Sequence, residues 1–191
     1  MKDYQINKIS YEDTKPFILN IHYAKRMPSV IQYSYGLFEK SNLVGIITYG
    51  IPASPPLCRG IAGEKNKKIV LELSRLVLKN NKKNEASILV GRSLKLLPKP
   101  KIIVSYADTK QNHIGYIYQA TNFLFTGTSK PRTDMASKDG KHPRHHLNDR
   151  SKRVLRSAKH RYVYILANKK TKKKLLNELN YPILNYPKIW K

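Results

Sequence analysis

An α/β (α+β) domain with a mixed sheet flanked by helices is what this sequence predicts, and three observations carry the prediction. Short β-rich runs alternate with segments of helical period. Residues 102–127 read as strand, turn, helix and strand, the unit whose crevice commonly binds ligands. Hydrophobic residues make up 40% of the 191-residue chain, enough for one compact core and too short a chain for two full domains. Residues 1–191 are therefore expected to form a single domain.

The elements follow in order. Residues 4–9 alternate and start the sheet. Ser10 opens a helix with Asp13 in its first turn and Phe17, Ile18 and Ile21 on its apolar face. Pro28 stops any continuation. Residues 33–38 and 43–49 are two strands of a hairpin. Residues 51–63 hold Pro52, Pro55, Pro56, Gly60 and Gly63 and read as a loop. Residues 69–78 alternate as a strand. Val70, Glu72, Ser74 and Leu76 fall on one face; Ile69, Leu71, Leu73, Arg75 and Val77 fall on the other, which is apolar apart from Arg75. A helix over 85–97 turns Ile88, Leu89, Leu94 and either Leu96 or Leu97 inward, and Pro98 and Pro100 close it. The apolar strand of Ile102, Ile103 and Val104 breaks at Ser105, a turn covers 109–112, and a helix carries Ile114, Ile117 and Tyr118 to about Asn122. A strand over 123–125 stops at Gly127. A strand at 161–166, a lysine-rich helix at 169–179 and an extended tail end the chain.

The charge is extreme: 37 basic against 12 acidic residues give +25. Such a surface favours a polyanion, most simply nucleic acid, with an acidic protein or a membrane surface as alternatives. Charge alone is equally compatible with a non-catalytic RNA-binding protein. The positive charge concentrates in residues 130–160, a basic excursion before the last strands with few large apolar residues. Arg132, Lys141, Arg144, His145, Arg150, Lys152 and Arg153 are its candidate DNA contacts. His142, His145 and His146 are spaced for a metal, but Pro143 argues against one helix presenting them, so phosphate contact is the better reading. One cysteine, Cys58, excludes an internal disulfide and suits a reducing compartment. No uncharged run approaches membrane-spanning length and the amino terminus has no secretory apolar stretch, so a soluble intracellular protein is expected.

Candidate site residues cluster around the central unit. Asp108 ends the strand at the crevice and could accept a proton, or merely cap a helix. Tyr118 could donate a proton or stack on a base, or simply pack. Ser105 and Tyr106 lie alongside. Arg75, a permanent charge on an apolar face, requires an anion: a ligand phosphate or carboxylate, or an ion pair with Asp108 or Glu72. His22 and Tyr23 could be base and acid, metal ligand and stacking partner, or plain structural groups.

These blocks also carry a resemblance. Ser105-Tyr106-Ala107-Asp108, Gly115 to Ala120 and Asn122 to Gly127 resemble the Mom family of bacteriophage DNA-adenine modification proteins, distant relatives of the GCN5-type N-acyltransferases. The likeness extends to residues 22–28, 43–50, 72–76 and 84–87, in the family's order. It implies a mixed sheet of acyltransferase type, and a phage-encoded transferase working in the host cytoplasm. It implies that the N6 amine of adenine in double-stranded DNA becomes N6-(carbamoylmethyl)adenine, which protects the DNA from host restriction. It implies catalytic roles for His22, Tyr23, Arg75, Asp108 and Tyr118, an acyl-coenzyme A or related donor, and iron held by His22 and Tyr23. Tyr23, Tyr49 or Tyr118 would stack on the flipped base.

One departure stands out. GCN5-type enzymes hold the coenzyme A pyrophosphate on a glycine-bearing turn before the helix at 85–97. This chain has no glycine there, leaving Lys82, Lys83, Asn84 and Ser87 as cofactor-binding candidates. Two rival readings stay open: an acyltransferase acting on another amine, and a DNA-binding protein without catalysis. The sequence leaves the oligomeric state open, a homodimer included.

Overall fold

The computed structural model describes residues 4–135 and 153–188. The expected contacts at Lys141, Arg144, His145, Arg150 and Lys152 lie outside them.

Strand β1 (Tyr4–Lys8) leads into helix α1 (Tyr11–Pro16), which Ser10 starts with a reciprocal capping box to Asp13. The helix widens into a π-type turn over Phe17–Ile21 and ends at His22, well before Pro28. Ile21 is exposed, while Phe17 and Ile18 are buried. Strands β2 (Tyr33–Glu39) and β3 (Asn42–Gly50) form the expected hairpin. Gly50 is obligatory there, since a Cβ would lie 1.8 Å from the Val30 carbonyl oxygen.

The expected loop at 51–63 is instead helix α2 (Pro55–Asn66). Its two prolines occupy the first turn, where a missing N–H costs nothing, so they start the helix rather than forbid it. Gly63, at φ +77°, kinks it. Strand β4 (Val70–Leu78) and helix α3 (Glu85–Leu96) follow. Strand β5 (Lys101–Asp108) runs four residues past the expected break, because antiparallel pairing continues to Asp108 despite the polar side chains. The helix after it, α4 (Tyr116–Ala120), is only five residues long. Strand β6 (Leu124–Ser129) passes a bulge at Gly127. Strands β7 (Arg132–Met135) and β8 (Arg153–Arg156) pair as a separate antiparallel ribbon inside the basic excursion. Strand β9 (Lys159–Leu166) and helix α5 (Lys169–Asn177) complete the order.

The seven-stranded sheet runs β1-β2-β3-β4-β5-β9-β6, antiparallel except at β4–β5. On one face Leu89, Val90 and Leu94 of α3 pack on Ile47, Tyr49, Leu71, Leu73 and Ile103, joined by Tyr118 and Tyr162. On the other, Cys58 and Ile61 of α2 and Leu175 of α5 cover Val70, Ile102, Val104 and Val163. Phe17 and Ile18 cover Ile46 and Val77 on that same face.

Two irregularities of β4 shape the site. Pairing with β5 lasts three residues, Val70 to Glu72, and then the two strands part. Thr48 pairs with Arg75 and Tyr49 with Leu73, so Ser74 is an extra, bulged residue. The bulge reverses the alternation beyond it. Leu76 joins the α3 core, and Arg75 lies on the face of Val70 and Glu72 rather than opposite them. Sequence alternation, which assumes an unbroken pleat, assigned Arg75, Leu76 and Val77 to the wrong faces.

Candidate active site

Where β4 and β5 part, a cavity of about 500 Å³ opens. From one face it is lined by His22, Tyr23, Glu72, Arg75, Tyr106 and Lys159, and from the other by the loop and helix 112–118. Gly115 shapes that second wall. Its φ is +78°, and a Cβ would sit 2.3 Å from the Tyr162 ring, so no other residue lets the loop pass so close.

Arg75 is held rigidly by the protein's own backbone. Its Nε and Nη2 donate to the Arg26 carbonyl at 3.2 and 2.7 Å, and Nη1 donates to the carbonyl of bulged Ser74 at 2.6 Å. No carboxylate lies within ion-pair distance of it among the described residues, so the expected pairing with Asp108 or Glu72 is absent. Glu72 sits beside it in the cavity wall with no hydrogen-bond donor of its own among the described residues. Burial raises the Glu72 carboxyl above the ordinary range, and the Arg75 and Lys159 charges only partly offset this. Tyr106 is likewise pushed up by burial and by Glu72.

The turn after α1 supplies the aromatic edge. The His22 ring stacks on Tyr23 with centroids 4.4 Å apart, and Tyr23 meets His113 edge-on at 6.3 Å. The Ala24 amide donates to His22 Nδ1 at 3.0 Å. Burial, then the charges of Arg75 and His113, lower the His22 pKa to about 4, so the ring is neutral at pH 7. Tyr23 remains 52% exposed at the mouth. Tyr118 packs against Phe123 and Tyr162 while lining the cavity. Burial pushes its hydroxyl up to about 12, against a hydrogen bond with Ser105. Tyr49, the other stacking candidate, is fully buried with its hydroxyl 2.8 Å from Ser93, and offers no face to a ligand.

Asp108 is beside the cavity rather than in its wall. Its carboxylate accepts from the Lys110 amide at 3.0 Å and from the Ser157 hydroxyl, with Lys159 Nζ at 3.7 Å. It caps the 3₁₀ turn over Thr109–Gln111, the structural alternative open in the sequence. Burial alone would raise its pKa, but these donors together with the Lys159 and His113 charges hold it below the usual value. Thr109 adds two bonds to the Ala158 carbonyl, so the 108–109 corner fastens the root of the β7–β8 ribbon next to the cavity. Arg132 and Arg153 lie exposed on that ribbon.

Sequence reasoning missed Lys159 and His113 as wall residues, and it named Glu72 only as a possible partner for Arg75. Glu72 did carry a signal: a carboxylate on an otherwise apolar strand beside the crevice. Nothing local marks Lys159 or His113.

The turn before α3 is braced from within the chain. Asn84 takes a left-handed conformation there. The fully buried Glu85 turns back so that its Oε2 accepts from the Lys82 amide at 2.8 Å and its Oε1 from the Tyr4 hydroxyl at 2.9 Å. Lys82 Nζ pairs with Glu39 at 2.7 Å, and the Ser87 hydroxyl donates to the Asn84 carbonyl at 3.0 Å. Of the four candidates, the Lys83 and Asn84 side chains make no hydrogen bond in this arrangement among the described residues. Among the described residues no three His, Cys, Asp or Glu side chains stand together to ligate a metal.

A seven-stranded sheet parting at β4–β5, with a polar cavity in the gap, defines an N-acyltransferase-type fold. Solved structures agree. Arabidopsis thaliana NAA60 in complex with acetyl-CoA covers 86% of this chain with 99% of its own, at TM-score 0.55 and 13% identity. The ribosomal-protein-S18-alanine N-acetyltransferase of Escherichia coli covers 86% with 95% of its own, at 0.53 and 8%. The chain belongs to the Mom protein family, whose profile matches residues 3–188. A relative in Escherichia phage Mu, the methylcarbamoylase mom, is 26% identical over 98% of this chain and 85% of its own length.

Proposed function

We propose that this chain is a transferase that modifies adenine in double-stranded phage DNA, converting the N6 amine to N6-(carbamoylmethyl)adenine and shielding the DNA from host restriction. The observation that carries the reading is the Glu72 carboxylate, without a hydrogen-bond donor among the described residues, between Arg75 and Lys159 in a cavity of about 500 Å³. Family membership and the name of the phage Mu relative supply the chemistry.

The adenine amine lies inside a paired duplex, so the base must be extruded, at a cost of a few kcal/mol. Tyr23, exposed and backed by His22, offers a stacking surface at the mouth. In the cavity, N6 forms a bond to the methylene carbon of a carboxamide-bearing alkyl donor. The donor's leaving group departs with the bonding pair, and the N6 proton passes to Glu72 Oε, whose raised pKa suits it to accept one. Arg75 and Lys159 favour an anionic leaving group. Tyr118 holds the base from the second face. Asp108 acts as a positioning residue: through Ser157 and the 108–109 corner it holds the basic ribbon at the mouth, where Arg132 and Arg153 meet DNA phosphates. No helix among the described residues is long and apolar enough to cross a membrane, and the site of action is the host cytoplasm.

Mass spectrometry of nucleosides from plasmid DNA in expressing cells tests this. A deoxyadenosine heavier by the carbamoylmethyl group, absent with Glu72→Gln and diminished with Asp108→Ala, supports the reading. Unmodified adenine with folded, DNA-bound protein rejects it.

A further inference from the structure

We infer that Tyr116 is a stacking wedge: its ring enters the space that the extruded adenine vacates in the duplex and lies against the flanking base. The inference rests on the transferase reading above and concerns how the base is kept out of the helix.

Two tyrosines of α4, two residues apart, are used in opposite ways. Tyr118 packs between Phe123 and Tyr162. Tyr116 also lines the cavity, yet it is 70% exposed, and its side chain makes no hydrogen bond, ion pair or ring contact among the described residues. A single exposed aromatic side chain on a surface is ordinary. Here a second one borders the same cavity, because Tyr23, itself half exposed, comes from the other wall.

The backbone under Tyr116 is held on both sides. The His113 amide donates to the Asp108 carbonyl at 3.2 Å, and the Asn112 amide to the Thr109 carbonyl at 3.0 Å. The Ile114 carbonyl accepts from the Tyr162 hydroxyl and from Gln119 Nε2, the latter at 3.1 Å. The Gly115 carbonyl accepts from the Tyr118 and Gln119 amides at 2.9 and 3.0 Å. A ring that pushes into a base stack pushes back on its own support, and this support is fastened while the ring is free.

Extrusion breaks the adenine's pairing and its stacking on both neighbours, so an empty vacancy favours the base's return. An aromatic ring in the vacancy replaces one of the lost stacks. A wedge has to stand beside the pocket that receives the base. Tyr116 does, since it forms part of that pocket's wall, and the adenine passes to Tyr23 on the opposite side. Exposed Lys110, in the turn leading to the same loop, offers a contact to the phosphates of the opened strand.

Permanganate oxidation of thymines in a duplex fragment bound by the full-length protein tests the inference. Thymines that lose their adenine partner become reactive, and the assay needs no donor. With each protein fully bound in a gel shift, the wild type and Tyr116→Phe should raise this reactivity, and Tyr116→Ala should raise it about tenfold less. An equal rise with all three overturns the inference, as does no rise with the wild type. Failure of Tyr116→Phe alongside Tyr116→Ala also overturns it, because the hydroxyl and not the ring would then matter. The melting temperature of Tyr116→Ala should stay within about two degrees of the wild type, the ring being largely exposed. A larger fall marks the ring as structural and overturns the wedge. An equal permanganate response in all three proteins beside intact adenine modification would defeat this inference and leave the proposed reaction standing. Absence of modified adenine would defeat that reaction and leave the permanganate result to decide the wedge.

Discussion

The gap between β4 and β5 and the head of α3 carry polar groups that are finished in opposite ways. At the head of α3 the Lys82 amide, the Tyr4 hydroxyl and the Lys82 ammonium each have a carboxylate partner from the chain. In the gap, among the described residues, Glu72 has no donor, Arg75 has backbone carbonyls but no anion, and neutral His22 stacks at the rim. Burying polar groups without partners costs stability, so a protein that closes one site with care and leaves the other open is keeping the open one for something else.

Glu72→Gln separates the two regions most sharply. It should lower the modification rate about 10²- to 10⁴-fold without lowering the melting temperature, since no native partner is lost. Rates by nucleoside mass spectrometry beside a thermal melt would show it; a rate within tenfold of wild type would mean the gap is not where the proton goes. The wild-type rate should also climb with pH through a midpoint above the ordinary carboxylate range, because burial raises Glu72. That acid limb should vanish in Glu72→Gln.

Glu85→Ala should behave in the reverse manner. Losing a buried carboxylate with two hydrogen bonds should cost about 2–4 kcal/mol in denaturant unfolding, with the rate per folded molecule retained. A smaller effect follows from Tyr118→Phe. It removes the hydroxyl bonded to Ser105 but keeps the ring against Phe123 and Tyr162, so a rate loss of about tenfold with a stability change near 1 kcal/mol is expected. The smallest effect is a pH dependence of stability from His22. Its folded pKa, about 4, lies below the unfolded 6.5, so between those values the unfolded chain binds more protons and stability falls as pH falls. His22→Gln should flatten melting temperature against pH over that window.

Much of this was legible in the sequence because it depends on local pattern. The hairpin of β2 and β3, the α3 helix and the strand–turn–helix order around Asp108 all follow from periodicity and turn residues. So does the absence of glycine from the turn before α3. What periodicity cannot carry is a break in its own rule. The Ser74 bulge moved Arg75 and Leu76 to opposite faces from those expected, and Pro55 and Pro56 began a helix where they read as a loop. Tyr49 offered itself as a stacking residue until its place under α3 showed it sealed. Lys159 and His113 reach the cavity only through long-range pairing of β9 with β5 and the path of the 109–115 loop, which no short stretch encodes.

The bulge at Ser74 works as a one-residue phase shifter. It lets Leu73 and Arg75, two apart in sequence, lie on opposite faces of the sheet. Deleting Ser74 would restore strict two-residue periodicity along β4 with Glu72 and Arg75 still on one face, and the net charge would not change. What the chain would lose is the Ser74 carbonyl that takes Arg75 Nη1, so the guanidinium would keep its side of the sheet and lose part of its clamp.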